Sequence, residues 1–129
     1  MAYAPRILIV DDEPEVRILF EEALSQDGYY VTVAGTGRHA LAVLRTSEFD
    51  LVVSDLSLPD LDGLALIGQI RSEFPYIKIL AISGYMAGLL PETVVRAGAT
   101  DTLDKPTTPR RLLSAVYSLI DGTCSWAGA

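Results

Sequence analysis

Four short apolar runs recur along the chain, at residues 6–10, 30–34, 51–54 and 78–82. Each is rich in Ile, Val and Leu and is the length of a strand, so each predicts a buried strand. A weaker run at residues 99–103 predicts a fifth strand. Five strands spaced along one chain leave room for a helix after each of them.

The segments between the runs have apolar residues at helical spacing. The first has them at i, i+3, i+4, i+7 and i+8, and Gly28 follows as a natural C-terminal residue. Capping residues and prolines mark the other starts. The second helix begins after Thr36, the third at Asp62, the fourth is short and covers residues 91–97, and the last begins at Pro109 after Thr108 and closes at Gly122.

This strict alternation of strands and helices predicts the α/β class. Five βα units favour a doubly wound, five-stranded parallel sheet with right-handed crossovers and helices on both faces. In such sheets the functional crevice lies beyond the carboxyl ends of the strands. The residues that follow each strand are therefore the candidates for chemistry.

Length and charge limit the possible functions. A chain of 129 residues makes one ordinary domain. Its net charge of −7 argues against a nucleic-acid or anionic-membrane surface. No apolar run is long enough for a membrane span or a signal peptide, and the single cysteine, Cys124, has no internal partner. We therefore expect a cytoplasmic protein with no membrane partner.

Five polar residues follow the predicted strands and should meet at one edge of the sheet: Asp11, Asp12, Asp55, Ser83 and Lys105. Three converging carboxylates repel one another unless a cation lies among them, and oxygen ligands suit Mg2+ or Mn2+. A carboxylate can also attack phosphorus to form an aspartyl phosphate. A metal, a lysine and a hydroxyl would then bind the phosphoryl oxygens, so the set is complete for phosphoryl transfer.

The motifs IVDDEP (9–14), SDLSLPDLDG (54–63), ISGY (82–85) and GATDTLDKP (98–106) resemble the receiver domain of two-component response regulators. The resemblance covers residues 6 to about 121. We therefore expect a receiver domain over residues 1–122 and a short tail over 123–129, with no output domain inside the chain.

The resemblance implies a role for each site residue. Asp55 would be the phosphoacceptor. Asp12 would bind Mg2+ directly, Asp11 would act through metal-bound water, and the carbonyl of Ser57 would be a further ligand. Ser83 would be the switch hydroxyl and Lys105 the phosphate-binding lysine. The bond from Lys105 to Pro106 is usually cis in the family.

The resemblance also implies the strand order 2-1-3-4-5 of a flavodoxin-like fold and the partners. A histidine kinase or histidine phosphotransfer protein would phosphorylate Asp55. The loop after the fourth strand would then shift, and the surface of helix four, strand five and helix five would signal to a downstream protein target.

Two positions depart from the family pattern. Thr102 stands three residues before the lysine, where an aromatic switch residue is usual. Tyr85, two residues after Ser83, is a candidate replacement, either as the switch or as a cover over the pocket mouth. Thr107 replaces the usual aromatic or apolar residue after Lys-Pro.

Other interpretations stay open for these residues. The aspartates are also common helix caps, and capping is the better explanation for Asp62. The lone histidine, His39, fits a surface position. At the level of function, the alternatives are an interaction module that is never phosphorylated, suggested only by Thr102, and a metal-dependent phosphatase. Ser57 argues against the phosphatase, because such enzymes usually carry an aspartate general acid at that position.

Overall fold

The computed structural model describes residues 4–84 and 91–121, and these form five strands and five helices. The strands are β1 (Arg6–Val10), β2 (Tyr30–Ala34), β3 (Leu51–Asp55), β4 (Lys78–Ser83) and β5 (Asp101–Asp104). The helices are α1 (Pro14–Gln26), α2 (Gly37–Thr46), α3 (Gly63–Glu73), α4 (Pro91–Ala97) and α5 (Pro109–Ile120). Tyr85 and Gly122 lie outside the described residues, so the predictions for them stay predictions.

All four strand pairings are parallel, and the strand order is β2-β1-β3-β4-β5. The chain crosses from β2 back past β1 to β3, so the order reverses between β1 and β3. This is the doubly wound arrangement that the alternation predicts, and the order is the one that the resemblance implies. The fold class is confirmed.

The sheet separates two apolar clusters, one on each face. Successive side chains of a strand point to opposite faces, so Ile7 and Ile9 belong to one cluster while Leu8 and Val10 belong to the other. The first cluster includes Phe20 of α1 together with Leu112 and Val116 of α5. The second contains the buried side chains of α2, α3 and α4. Covering both faces explains why the strands are continuously apolar.

Local capping fixes most helix starts where the sequence predicts them. The Thr36 hydroxyl accepts from the His39 amide at 3.0 Å, and the Thr108 hydroxyl accepts from the Arg111 amide at 3.2 Å. The Asp62 carboxylate accepts from the Leu64 amide at 3.2 Å, which confirms it as the cap of α3. Each contact spans only two or three residues, and so each was visible in the sequence.

The last strand begins later than predicted, at Asp101 instead of residue 99. Ala99 instead helps to close α4: its amide donates to the Val94 carbonyl, and its side chain is buried in the core. Gly98 precedes it with φ +136°, a conformation that turns the chain out of the helix. The apolar residue at 99 therefore packs as a helix-end residue rather than as part of the strand.

Three strands also extend one residue beyond their predicted ends. β5 ends at Asp104, β3 includes Asp55 and β4 includes Ser83, since Asp55 pairs with Ile82 and Ser83 pairs with Asp104 in the sheet. Two candidate site residues are therefore held by sheet hydrogen bonds rather than by loops. Among residues 4–84 and 91–121, no helix has both the length and the apolar character to cross a membrane.

Candidate functional site

Three carboxylates meet at the carboxyl edge of the sheet. Asp11 and Asp12 follow β1 and Asp55 ends β3, and one oxygen from each lies within 4.8 Å of the others. Asp11 and Asp55 are each only 2% exposed, whereas Asp12 is exposed. This oxygen-only donor set, open on one side, fits a hard divalent cation such as Mg2+, which keeps several waters and takes one or two carboxylates.

Both oxygens of Asp55 have a hydrogen-bond donor. The amide of Ser57 donates to Oδ1 at 2.9 Å, and Nζ of Lys105 donates to Oδ2 at 2.6 Å. Lys105 is the more accessible partner, with one third of its side chain exposed. The buried carboxylate is therefore held in one orientation by a rigid amide and a movable ammonium group.

The charge of Lys105 is stabilised at this position. Partial burial lowers its pKa, but the hydrogen bond and the negative charge of Asp55, with help from Asp11, outweigh that effect and leave the pKa raised. The site therefore keeps a fixed positive charge beside Asp55 at neutral pH. Such a charge can bind an anionic group as well as the carboxylate.

The neighbouring carboxylate is held less well in its charged form. Burial raises the pKa of Asp11 to about 6, and the nearby charge of Asp55 adds to the rise, while the hydrogen bond from the Glu13 amide and the charge of Lys105 oppose it. One lysine thus only partly balances the buried negative charge. A divalent cation would complete the balance, which supports the fit of a metal to this cluster.

The main chain of Asp11 is fixed at both polar atoms. Its amide donates to the Ala34 carbonyl at the end of β2, at 3.0 Å. Its carbonyl accepts from Nη1 of Arg17, on α1, at 2.9 Å. The side-chain Oδ1 accepts from the Glu13 amide at 2.9 Å. Asp11 therefore has little freedom, and the peptide that joins it to Asp12 is held in place.

Ser83 and Lys105 belong to adjacent strand ends. The carbonyl of Ser83 accepts from the Lys105 amide at 2.9 Å, and Ser83 is half-buried one residue beyond the partner of Asp55 in the sheet. The peptide bond from Lys105 to Pro106 is cis, as the resemblance implies. Ser83 and Lys105 thus stand at the ends of adjacent strands, on the β4–β5 side of the carboxylate cluster.

The loop after β3 is held in a compact shape beside the site. Ser57 forms an isolated bridge with Asp62, and a Cβ at residue 63 would come within 2.3 Å of the Leu56 carbonyl, which requires glycine there. The two oxygens of Asp60 accept from the amides of Gly37 and Arg38 at 2.9 and 3.0 Å. The loop that follows Asp55 is thereby tied to the start of α2.

The structure brings together Asp11, Asp12, Asp55 and Lys105, with the Ser57 amide on Asp55 and Ser83 adjacent. Thr102 is half-buried in β5 and pairs with Ala81 in the sheet. Its amide donates to the carboxylate of the preceding residue, Asp101, at 2.8 Å. The polar side chain of Thr102 occupies the place where the family pattern has an aromatic ring.

Sequence reasoning missed three residues around the site. Arg17 and Gly35 were not singled out, and the capping of α2 by Asp60 was not foreseen. The hydrogen bonds of Asp60 join residues more than 20 positions apart in the chain, so no local sequence pattern predicts them. Arg17 sits among polar positions of an amphipathic helix, where an arginine usually faces water.

Comparison with known proteins places these features in a family. The family model for the response regulator receiver domain matches residues 7–117. A 14.6 kDa protein from the sodA1 3' region of Leptolyngbya boryana is 36% identical over 113 residues, which cover 85% of this chain and 86% of that protein. The response regulator protein FleR of Pseudomonas aeruginosa is 34% identical over 88% of this chain, but the match spans only 24% of FleR.

Solved structures agree with the sequence matches. A CheY-like response regulator receiver domain protein from Methanospirillum hungatei has a TM-score of 0.85 and 32% identity over 93% of this chain and 96% of that one. The chemotaxis response regulator CheY4 of Vibrio cholerae has a TM-score of 0.82 and 30% identity over 91% of this chain and 99% of that one. With its sheet order, its acidic edge and its lysine, the chain belongs to the response regulator receiver domain family.

Proposed function

We propose that this receiver domain accepts a phosphoryl group on Asp55 in a Mg2+-dependent reaction and thereby switches a protein-interaction surface. The observation that carries the proposal is the pairing of the buried Asp55 with Lys105, at 2.6 Å, beside Asp11 and Asp12. Helix capping accounts for none of these contacts. A nucleophile, a cation-binding pair and a cationic partner for phosphate are what phosphoryl transfer to a carboxylate needs.

The proposed transfer is a displacement at phosphorus. A carboxylate oxygen of Asp55 forms the new P–O bond while the bond from phosphorus to the donor nitrogen of a phosphohistidine breaks, and the imidazole leaves with that electron pair. Bound at Asp11, Asp12, Asp55 and the Ser57 carbonyl, Mg2+ would supply neutralisation of the phosphoryl charge. The Ser57 amide keeps the nucleophile oriented before and during attack.

Lys105 and Ser83 act on the product. Once Asp55 is phosphorylated, the charge of its carboxylate is replaced by that of the phosphoryl group. The ammonium group of Lys105 therefore moves from Oδ2 to a phosphoryl oxygen. The Ser83 hydroxyl donates a hydrogen bond to a second phosphoryl oxygen, which draws the end of β4 toward the site. Because Lys105 and Ser83 are joined through the main chain, the two movements are coupled.

One residue distinguishes a signalling module from a phosphatase that turns over free substrates. Receiver domains are signalling modules that partner with kinases and downstream targets, and this chain belongs to them. Ser57 offers no carboxyl group two residues after Asp55, so it supplies no general acid for turnover of free phosphate esters. We therefore propose self-catalysed phosphorylation and slow loss of the phosphoryl group to water as the only chemistry of the site.

The proposed phosphodonor is a histidine kinase or a histidine phosphotransfer protein, and the proposed receiver of the signal is a downstream protein. A groove of about 190 Å³ adjoins the site between α1 and the loop after β5, and Asp11, Glu13, Phe20 and Lys105 line it. The proposal assigns residues 1–122 to the receiver domain and residues 123–129 to a tail.

Labelling with a small acyl phosphate tests the proposal without a kinase. With Mg2+ present, the wild-type chain should gain one phosphoryl group, measured by intact mass. Asp55→Asn removes the nucleophile but keeps the shape of the side chain, so it should gain none. A chelator should abolish labelling of the wild type.

The alternative of an interaction module that is never phosphorylated makes the opposite forecast. It draws support from Thr102, which lies in β5 where the family pattern has an aromatic residue. In that case the wild type would stay unlabelled, and its affinity for Mg2+ would equal that of Asp12→Ala. Equal labelling of wild type and Asp55→Asn would contradict the assignment of Asp55.

A further inference from the structure

We propose that Arg17 is a positioning residue for the Asp11–Asp12 pair and that residue 35 must be glycine for Arg17 to reach its place. The inference rests on the proposed Mg2+ site, which it deepens. Arg17 touches neither the phosphoryl group nor the metal in this account. It acts through the peptide that joins Asp11 to Asp12.

The contact that carries the proposal is a hydrogen bond from a side chain to the main chain. Nη1 of Arg17 donates to the Asp11 carbonyl at 2.9 Å. The carbonyl of residue 11 and the amide of residue 12 belong to one planar peptide, so a donor on that carbonyl fixes the rotation of the whole unit. The Asp11 amide is already hydrogen-bonded to the Ala34 carbonyl. The orientation of the peptide between Asp11 and Asp12 therefore sets the direction of the exposed Asp12 side chain.

The second observation is the space above Gly35. A Cβ built on Gly35 would lie 2.5 Å from Nη1 of Arg17, closer than real Cβ contacts occur. Gly35 is not among the glycines with positive φ, which are Gly28 and Gly98, so its backbone conformation suits any residue. Glycine is therefore required at residue 35 for steric reasons, because the guanidinium of Arg17 occupies the position that a side chain would take.

Electrostatics gives the proposal a distinctive sign. Arg17 brings a permanent positive charge close to the proposed cation site, and this charge repels Mg2+. If Arg17 acted only through its charge, its removal would tighten Mg2+ binding. If Arg17 holds the peptide in place, its removal loosens the carboxylates and weakens binding, because supports of metal ligands commonly contribute tenfold or more to affinity.

Two variants test this from opposite directions. Arg17→Met keeps the apolar stem and removes the donor. Gly35→Ala keeps the charge of Arg17 and displaces its guanidinium. Calorimetric titration with Mg2+ should give, for both variants, a dissociation constant about tenfold larger than that of the wild type. Gly68→Ala is the matched control, since a Cβ there meets only the Ala97 carbonyl, at 3.8 Å, and its affinity should equal that of the wild type.

Coupling between the two positions is the decisive outcome. Because both substitutions break the same hydrogen bond, the double variant should bind Mg2+ no more weakly than Arg17→Met alone. Arg17→Lys, which keeps a donor on a shorter side chain, should recover part of the lost affinity. Unfolding curves recorded on every variant ensure that the binding constants refer to folded chains.

A measurement without metal separates this inference from the proposed function. The 15N chemical shift of the Asp12 amide reports whether the preceding carbonyl accepts a hydrogen bond. It should move in Arg17→Met and Gly35→Ala and stay unchanged in Gly68→Ala. An unmoved shift, or Mg2+ binding that is unchanged or tighter in Arg17→Met, would overturn the role of Arg17. Failure of the wild type to bind Mg2+ any better than Asp12→Ala would instead count against the proposed function.

Discussion

At the scale of single residues, the site is defined by a shortage of positive charge. Asp11 and Asp55 are both 2% exposed, and Lys105 is the cation that forms an ion pair with Asp55. A buried carboxylate without a full partner is destabilising unless it takes up a proton or a cation. The same shortage that makes the site costly for folding makes it receptive to a metal.

The raised pKa of Asp11 predicts how stability varies with pH in the absence of metal. Its pKa rises from 3.8 to about 6 on folding, so between these values the folded chain binds a proton that the unfolded chain has lost. The free energy of unfolding should therefore fall as pH rises from about 4 to 6, by roughly 1.4 kcal/mol per unit of pKa shift.

Urea unfolding of wild type and Asp11→Asn over this range measures the effect. The variant cannot titrate at residue 11, so the difference between the two curves isolates the contribution of Asp11. A difference that stays constant with pH would contradict the raised pKa.

Lys105 should be worth more to stability than an exposed lysine. Lys105→Met leaves the buried Asp55 without its ammonium partner, which we expect to lower the free energy of unfolding by about 1–3 kcal/mol. Denaturant unfolding at neutral pH without Mg2+ gives the number. Adding Asp55→Asn should restore much of the loss, because the uncompensated charge is then gone. A double variant as unstable as the sum of the two single changes would argue against the pair.

At the scale of helices and strands, capping residues predicted three helix starts correctly, whereas the apolar pattern misplaced the start of β5. Thr36, Asp62 and Thr108 cap their helices through partners two or three residues away. The predicted start of β5 was wrong, because the apolar residue Ala99 is buried at the end of α4 and not in the strand. Burial alone does not tell which element a residue serves.

The turn after α4 depends on a glycine. Gly98 has φ +136°, and a Cβ there would lie 2.9 Å from Cβ of Arg71, whose guanidinium donates to the Gly98 carbonyl at 3.0 Å. Gly98→Ala should lower the free energy of unfolding by at least about 1 kcal/mol, from backbone strain alone. Thermal or urea unfolding beside Gly68→Ala provides the comparison. Equal stability of the two variants would show that the turn tolerates a side chain.

Asp60 should protect the start of α2 from solvent exchange. Its carboxylate accepts from the Gly37 and Arg38 amides, and these two hydrogen bonds lower the pKa of Asp60. In Asp60→Ala the two amides lose their acceptor, so their hydrogen exchange should accelerate. The His39 amide, capped by Thr36, should change much less. Unchanged exchange at residues 37 and 38 would contradict the tie between this loop and α2.

At the scale of the whole molecule, the sequence predicted the layout because the layout follows from repetition. Five apolar runs separated by helical segments allow few arrangements, and parallel strands bring their carboxyl ends to one edge. The sequence therefore predicted that Asp11, Asp12, Asp55 and Lys105 lie together, as they do in the structure. Arg17 and Gly35 were not predicted, because the guanidinium of Arg17 in α1 lies over Gly35 in the loop after β2, and no residue spacing encodes that placement.

Identification of the phosphorylated residue tests the central claim most directly. After treatment with an acyl phosphate and Mg2+, reduction with borohydride converts an aspartyl phosphate to homoserine, and peptide mass spectrometry locates it. We predict homoserine at position 55 alone, and none when Mg2+ is withheld. Homoserine at position 11 or 12, or none anywhere in the Mg2+-treated wild type, would contradict the account.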